Sequence, residues 1–210
     1  MMIPRVAHVI WVGGAAMPEK ETACLERNRD ILSAYDLLLW GDDDIGPLTE
    51  GLPEVAKFID FARAERKWAF IADAMKMLIL SRFGGWVLDA DNEFLQAPDA
   101  FGRFHWVSGF ENWNGLQSPI TAVMGAAPDH KFSKLLLSAY IKSPAPELCS
   151  MPNTRWISSV LYNHGMNRDN RRQYIEALDV EIFPDYVFCG PPRDGQSVAL
   201  HHFSASWKVS

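Results

Sequence analysis

Apolar positions along this chain form two patterns, short continuous runs typical of buried strands and wider spacings of three and four residues typical of helices. The clearest helical pattern covers 67–83 and stops at Gly84-Gly85; its apolar positions are Phe70, Ile71, Ala74, Met77 and Leu78. Together the patterns predict strands over 5–12, 36–40, 86–88, 94–95, 106–110, 120–126, 181–183 and 198–203, and helices over 18–33, 53–64, 67–83, 129–141, 155–163 and 171–178. This alternation predicts an α/β fold with helices flanking a sheet.

Two carboxylates follow the predicted strand 86–88. Side chains of an extended chain alternate between faces, so Asp89 and Asp91 point the same way and Ala90 points the opposite way. Like charges this close repel unless a proton or cation intervenes, and oxygen ligands suit Mg²⁺ or Mn²⁺. Such an ion keeps coordination positions that diphosphate oxygens can fill. We therefore expect a metal site for a phosphorylated substrate; the alternative is a solvated turn after a buried strand.

The helix before these carboxylates carries an acid and a base, Asp73 and Lys76, three residues apart on one face. From Asp73 the helix climbs about 15 Å to its end, and the strand that follows covers about 16 Å if the glycine pair reverses the chain. The two lengths match, which predicts Asp73 and Lys76 beside Asp89 and Asp91. The alternative is an ordinary solvated ion pair.

Three blocks of the sequence resemble the glycosyltransferases with a DXD sugar-binding region, a family that includes capsular polysaccharide enzymes and yeast initiating mannosyltransferases. The blocks are IPRVAHVIWVGG at 3–14, ADAMKMLILSRFGGWVLDAD at 72–91 and ALHHFSASW at 199–207. They follow the family's order and span nearly the whole chain. The chain departs from the family pattern at Lys76, where Arg is usual, at Val87, where Tyr is common, and at Ala72, where Ser is frequent.

The resemblance implies a GT-A nucleotide-sugar transferase fold, with a mixed central sheet flanked by helices in a single domain. It further implies sugar transfer, with retention, from a nucleoside diphosphate sugar, expected to be a UDP-sugar, to a glycan or lipid-linked glycan in polysaccharide, capsule or other cell-surface glycan synthesis. In this interpretation Asp91 is the main ligand of Mn²⁺ or Mg²⁺ and Asp89 contacts ribose, sugar or ion. Asp73 and Lys76 hold sugar hydroxyls, and with Asp89 they form the catalytic set.

The remaining implied contacts come from both chain ends. Trp11 is expected to stack on the nucleotide base beside Val12 and Gly13, the alternative being a core tryptophan next to a tight turn. His201 and His202 face opposite sides of a strand, so only one can enter the site. The resemblance favours His201 as a third metal or phosphate contact; the alternative is a hydrogen-bonded structural histidine. Ser206 and Trp207 are expected to bind the ion or the diphosphate as the tail closes.

Two loops carry further polar groups. Asp42-Asp43-Asp44 is typical of a solvated turn, the alternative being an acidic rim near the site. The segment 111–114 offers an acid, amides and an aromatic face that could contact sugar, or could form an ordinary polar hairpin tip. The segments 143–146, which is rich in Pro, and 190–195, which is rich in Gly and Pro, are predicted loops, the second placed to act as a lid.

Composition agrees with one globular domain over 1–210, with a donor-binding half of about 1–95 and an acceptor and closing half of about 96–210. The chain has 210 residues, of which 48% are hydrophobic and 22% charged. A net charge of −6 and the lack of a basic run argue against nucleic-acid binding. Cys24, Cys149 and Cys189 show no CxxC or Cys/His pattern, so the sequence suggests neither a disulfide framework nor a structural zinc.

The sequence contains no signal peptide pattern and no run of eighteen apolar residues, which predicts a cytoplasmic protein without a transmembrane segment. A lipid-linked acceptor would require peripheral contact with the inner face of the membrane. Two rival functions remain open. Metal-dependent nucleotidyl or phosphoryl transfer also uses carboxylates at strand ends, although no GxxxxGK[ST] loop is present. A non-catalytic nucleotide-sugar binding module is compatible with Lys76 and the small size.

Overall fold

A β-sheet with helices on both faces forms the described part of this computed structural model, residues 2–113 and 115–204. Its strands are β1 (Val6–Ile10), β2 (Asp36–Trp40), β3 (Gly85–Leu88), β4 (Asn92–Phe94), β5 (Trp106–Trp113), β6 (Leu116–Pro119), β7 (Val123–Ala126), β8 (Gln173–Ile175), β9 (Val180–Phe183) and β10 (Ala199–His201). Its helices are α1 (Glu19–Ile31), α2 (Ile45–Thr49), α3 (Pro53–Ala64), α4 (Trp68–Arg82), α5 (Lys131–Lys142), α6 (Ala145–Leu148), α7 (Asn153–Asn163) and α8 (Asp185–Phe188).

The central sheet is mixed, with strand order β2-β1-β3-β7-β5-β9-β8 and β6 paired to β5. Strands β2, β1 and β3 run parallel, β7 is antiparallel to β3 and β5, and β5 is parallel to β9. A separate antiparallel pair joins β4 to β10. The predicted α/β fold with a mixed sheet between helices is therefore confirmed.

The register of β1 and β3 determines which residues leave the sheet together. Val9 pairs with Leu88 in a parallel ladder, so Trp11 and Asp89 follow at neighbouring strand ends. Ligand sites in open α/β sheets lie at the carboxyl ends of parallel strands. The pairing therefore brings the first and second sequence blocks to one edge of the sheet.

Two hydrophobic cores cover the opposite faces of the sheet. Along β3, Val87 belongs to the core that contains α3, α4 and α5, whereas Trp86 and Leu88 belong to the core that contains α1 and α8. Every β3 residue is buried, and α4 is buried continuously from Ala74 to Ser81. A strand and helix covered on all sides are rigid supports for the side chains at their ends.

The glycine pair between α4 and β3 is required by space as well as by conformation. Gly84 and Gly85 have φ of +65° and +87°, values that favour glycine. A Cβ at Gly85 would lie 2.6 Å from the Val6 carbonyl oxygen, and one at Gly84 would lie 2.6 Å from the Ala126 carbonyl oxygen. Only a chain without side chains here can turn from the helix into the centre of the sheet.

Most predicted elements are present, with ends shifted by a few residues, and the 36–40 strand and 53–64 helix match the structure. The helix predicted over 171–178 is wrong, because Gln173–Ile175 within this segment forms strand β8, which pairs antiparallel with β9. Asp179, at φ +57°, turns the chain between the two strands, and Arg172 forms a two-point ion pair with Glu181 across them. Tyr174 and Ile175 are residues that favour strands when a partner is available.

One loop prediction and one strand prediction also need correction. The segment 143–146 is not entirely a loop, since α6 begins at Ala145. Within 120–126 only Val123–Ala126 is a strand. In the described residues, no helix combines the length and apolar character needed to cross a bilayer.

Candidate active site

A cleft of about 430 Å³ opens at the carboxyl ends of β1 and β3. Eight of the ten residues predicted for the site line it: Trp11, Val12, Gly13, Asp73, Lys76, Asp89, Asp91 and His201. The other two, Ser206 and Trp207, lie outside the described residues. Three segments distant in sequence thus meet around one concave volume, as their combined pattern predicts.

Asp89, Asp91 and His201 form the polar centre of the cleft. One oxygen of each carboxylate and one ring nitrogen of the histidine all lie within 4.8 Å of one another. His201 Nε2 is 3.3 Å from Asp91 Oδ1, and the second Asp91 oxygen accepts hydrogen bonds from Ser204 N and Oγ at 2.7 and 3.1 Å. Two carboxylates and an imidazole are suitable ligands for a divalent cation.

The charges of this centre favour ionised groups. Burial alone would raise the pKa of Asp91, but its hydrogen bond with His201, the His201 charge and the Ser204 donors outweigh burial and hold that pKa well below its usual range. Burial likewise opposes protonation of His201, yet the Asp91 hydrogen bond and the charges of Asp89, Asp91 and Glu111 raise its pKa. The carboxylates around His201 therefore favour the protonated form of its ring.

Lys76 forms a second charged group at the base of the cleft. Its ammonium group lies 3.2 Å from Asp73 Oδ1 and forms a closer ion pair with Asp89 Oδ1. Because the lysine side chain is only 3% exposed, its positive charge is balanced by these two carboxylates and not by solvent. Burial would lower the pKa of Lys76, but the two carboxylates outweigh burial and raise it. The prediction that Asp73 and Lys76 lie beside Asp89 is confirmed, and the solvated-pair alternative is wrong.

Asp73, one of the two partners of Lys76, is an unusually weak acid for an aspartate. Burial raises the pKa of Asp73 to about 6, despite the opposing charge of Lys76. The nearby charge of Asp89 acts in the same direction as burial. Asp73 therefore loses its proton at a higher pH than an ordinary aspartate does.

The two adjacent histidines point to different partners. His201 contacts Asp91 and lines the cleft, whereas His202 Nε2 lies 3.2 Å from Glu93 Oε1 and does not line it. Strand alternation predicts this separation, and the structure identifies His201 as the histidine of the site.

The segment from Trp11 to Gly13 also lines the cleft. The indole N–H of Trp11 donates to the Ala15 carbonyl at 2.7 Å and thereby closes the turn over Gly13-Gly14. The backbone N–H groups of both glycines donate to Asp42 Oδ2, at 2.8 and 3.2 Å. Asp42–Asp44 forms one turn of 3-10 helix in which no residue is buried, and Asp42 holds the glycine turn in place.

The sequence interpretation missed several residues that line the cleft, among them Trp68, Phe70, Thr121 and Asn153. A Cβ at Gly13 would lie 2.8 Å from the Trp68 ring, so the glycine turn packs directly on that indole. Thr121 Oγ1 donates to Asn153 Oδ1 at 3.0 Å, and Lys76 Nζ lies 3.4 Å from the Thr121 carbonyl. The loop after β6 and the start of α7 carried no motif, so sequence spacing offered no signal for them.

Known proteins resemble this chain in structure but not in sequence. No protein-family model matches the sequence, and no curated protein sequence is significantly similar to it. Among solved structures, PaToxG glycosyltransferase is similar with a TM-score of 0.54 and 16% identity, over 77% of this chain and 70% of that one. A glycosyltransferase involved in the glycosylation of the major capsid of PBCV-1 is similar with a TM-score of 0.54 and 14% identity, over 96% of this chain and 95% of that one.

These similarities show the fold. The chain has a GT-A-like α/β architecture, and the two solved structures named above are both glycosyltransferases. The more specific resemblance to the family with a DXD region stays a prediction that rests on the three sequence blocks.

Proposed function

We propose that this protein is a metal-dependent glycosyltransferase that moves a sugar from a nucleoside diphosphate sugar to a glycan hydroxyl. The observation that carries the proposal is the convergence of Asp89, Asp91 and His201 in a cleft that Trp11 also lines. Such a cleft offers a site for a cation next to an aromatic ring, which are the two features that a nucleoside diphosphate requires.

Asp89, Asp91 and His201 are the residues that would hold Mn²⁺ or Mg²⁺, with Asp91 as the main ligand. When bound, the ion would neutralise the negative charge of the diphosphate leaving group. The imidazole favours Mn²⁺ over Mg²⁺, since Mg²⁺ prefers oxygen ligands and retains its water. Ser204 donates a hydrogen bond to the second oxygen of Asp91 and thereby fixes the orientation of this proposed metal-binding carboxylate.

Trp11 and the Gly13 turn form the proposed nucleotide end of the cleft. The partly exposed indole can stack on a base, and the glycine backbone permits close approach of the nucleotide. Nothing in the described part of the site distinguishes the bases, and a UDP-sugar is the donor we propose from the sequence resemblance.

Asp73 and Lys76 form the proposed sugar end. Lys76 holds Asp73 and Asp89 at hydrogen-bonding positions, and carboxylates accept hydrogen bonds from sugar hydroxyls. In the proposed reaction, the acceptor hydroxyl oxygen bonds to the anomeric carbon as that carbon releases the diphosphate oxygen, and the hydroxyl proton passes to the departing diphosphate, with retention of configuration. Asp89 stabilises the positive charge that develops on the sugar in the transition state.

The proposed acceptor is a glycan or a lipid-linked glycan in polysaccharide or cell-surface glycan synthesis. Glu111, on β5 near His201 and Asp89, is the polar residue that we place on the acceptor side. Burial raises the pKa of Glu111 to about 7, so it can both donate and accept hydrogen bonds near neutral pH. A lipid-linked acceptor would bring the protein to the membrane surface.

The test is a panel of UDP-glucose, UDP-galactose, UDP-GlcNAc and GDP-mannose, each with Mn²⁺, with the released nucleotide identified. We expect nucleoside diphosphate from one donor and at least about 100-fold less from Asp91→Asn. Ser204→Ala is the matched control, because it removes a hydrogen bond to Asp91 but keeps the carboxylate. Pyrophosphate or monophosphate among the products would instead indicate nucleotidyl or phosphoryl transfer. Donor binding without products would indicate a binding module.

A further inference from the structure

A second cluster of metal-ligand residues lies outside the cleft. Cys24 of α1, Glu93 of β4 and His202, which follows β10, each place one potential ligand atom within 4.8 Å of the other two. Cys24 and Glu93 are buried, and none of the three lines the proposed donor site. Residues 24, 93 and 202 are too far apart in sequence to form a spacing motif, which explains why the cysteines gave no zinc pattern.

The positively charged side chain of Arg27 already contacts two residues of this cluster. Its Nε forms a close ion pair with Glu93 Oε2, and its Nη2 donates to Cys24 Sγ at 3.4 Å. The arginine side chain is 50% exposed, so it can leave toward solvent without disturbing the core. The cluster thus prefers positive charge, and its resident cation is displaceable.

The His202 ring points into the same cluster. Its Nε2 is buried and lies 3.2 Å from Glu93 Oε1, at an angle that gives no hydrogen bond. Among the described residues this nitrogen has no hydrogen-bond partner. A buried ring nitrogen is costly without a partner, and a metal ion would supply one.

We propose that Cys24, Glu93 and His202 form a zinc site. Thiolate, imidazole and carboxylate are the three ligand types that tetrahedral Zn²⁺ accepts, and a thiolate ligand excludes Mg²⁺ and Ca²⁺ as preferred occupants. Binding transfers the Cys24 thiol proton to solvent, displaces Arg27, and leaves water as the fourth ligand. The site connects α1 to the segment after β10, so zinc fixes the backbone that carries His201 into the neighbouring cleft.

The test is a titration of the whole protein with Co²⁺, followed by absorption in the thiolate-to-cobalt charge-transfer region. The donor cleft has no cysteine among its described residues, so this band reports only a thiolate site. We expect the band in the wild type, its loss on addition of Zn²⁺, and its absence in Cys24→Ser. Cys149→Ser and Cys189→Ser are matched controls, since both cysteines are also buried and free, and both should keep the band.

Further variants examine the other groups. Glu93→Gln and His202→Asn should weaken Co²⁺ binding by about tenfold or more, and Arg27→Met should strengthen it by about tenfold, because it removes the competing cation. Circular dichroism of the metal-free proteins checks folding. If Cys24→Ser does not fold, X-ray absorption of the zinc-loaded wild type decides, with a sulfur ligand expected at about 2.3 Å. A wild type without the band, a band that survives Cys24→Ser, or zinc without sulfur would overturn the proposal.

Discussion

Lys76 of α4 forms a buried ion pair with Asp89 at the end of β3. The same ammonium group contacts Asp73 one turn earlier on the helix, so one cation joins two acids that would otherwise repel each other. The helix and the strand that the glycine pair connects are therefore also joined by charge, from the middle of α4 to the residue that follows β3. This relationship makes Lys76 both a part of the site and a part of the fold.

Replacement of Lys76 by Met should destabilise the protein by about 3 kcal/mol at pH 8, because it leaves two carboxylates without their cation. The loss should be smaller at pH 5, where Asp73 is protonated as a result of its raised pKa of about 6. Urea unfolding at both pH values measures it. The double variant Lys76→Met/Asp73→Asn should recover part of the loss, and strictly additive losses would contradict the coupling.

Trp11→Ala should raise the KM for the nucleotide-sugar about 5- to 100-fold with little change in kcat, since base stacking is worth about 1–3 kcal/mol. Steady-state kinetics with the active donor measures both constants. Trp11→Phe is the control: it loses the hydrogen bond to Ala15 but keeps an aromatic face. An equal rise in KM for both variants would assign the effect to that hydrogen bond and not to stacking.

Gly85→Ala should lower the free energy of unfolding by about 3 kcal/mol, because a Cβ there meets backbone and its φ is positive. Gly14 offers a matched comparison: its φ is +71°, but a Cβ at this position would point into open space, with no described neighbour within 4 Å. Gly14→Ala should therefore cost only about 1 kcal/mol. Chemical denaturation of both variants separates backbone strain, which both share, from the steric clash of the new Cβ, which only Gly85→Ala has. Similar losses of stability would show that the structure relieves this clash at little cost.

His8 gives the protein a stability term that depends on pH. Its Nδ1 accepts from the Trp40 indole N–H at 3.1 Å and its Nε2 donates to the Gly84 carbonyl at 3.1 Å, an arrangement that requires the neutral ring. Burial lowers the pKa of His8 from 6.5 to about 4, and the Gly84 hydrogen bond only partly opposes it. The folded state therefore takes up this proton later than the unfolded chain as pH falls.

Stability from His8 should be fully present above pH 6.5 and decline as pH falls toward 4, by at most about 1.4 kcal/mol per pH unit. Denaturant unfolding at several pH values measures the slope. His8→Gln should be less stable overall yet show a flatter slope in this window. Replacement of the exposed His164 by Gln serves as the control and should leave the slope unchanged; identical slopes in all three proteins would rule out the His8 contribution.

Sequence patterns predicted the parts of the site that depend on local geometry. Asp89 and Asp91 follow from strand alternation, and the position of Lys76 follows from the length of one helix and one strand on either side of a turn. His201 was separable from His202 only by resemblance, because alternation shows that the two diverge but not which of them enters the cleft.

Patterns failed where distant chain segments decide the outcome. Thr121 and Asn153 meet through a contact between a loop and the start of α7, and Cys24 meets His202 across the two-stranded sheet. The 171–178 segment has helix-compatible residues, yet pairing of Tyr174 with Glu181 makes it a strand. Such contacts depend on tertiary packing, which single-sequence periodicity does not encode.

The pairing of Val9 with Leu88 has a consequence for how this protein can vary. A slip of a single residue between these strands would turn Asp89 to the opposite face of the sheet and carry it away from Trp11. The register of the two strands thus sets the relative positions of the cleft side chains. A partly folded form with loosened strands would lose this arrangement before it lost its secondary structure. Substitutions of buried residues that pack against β1 and β3 can therefore disrupt the site without changing any residue that lines the cleft.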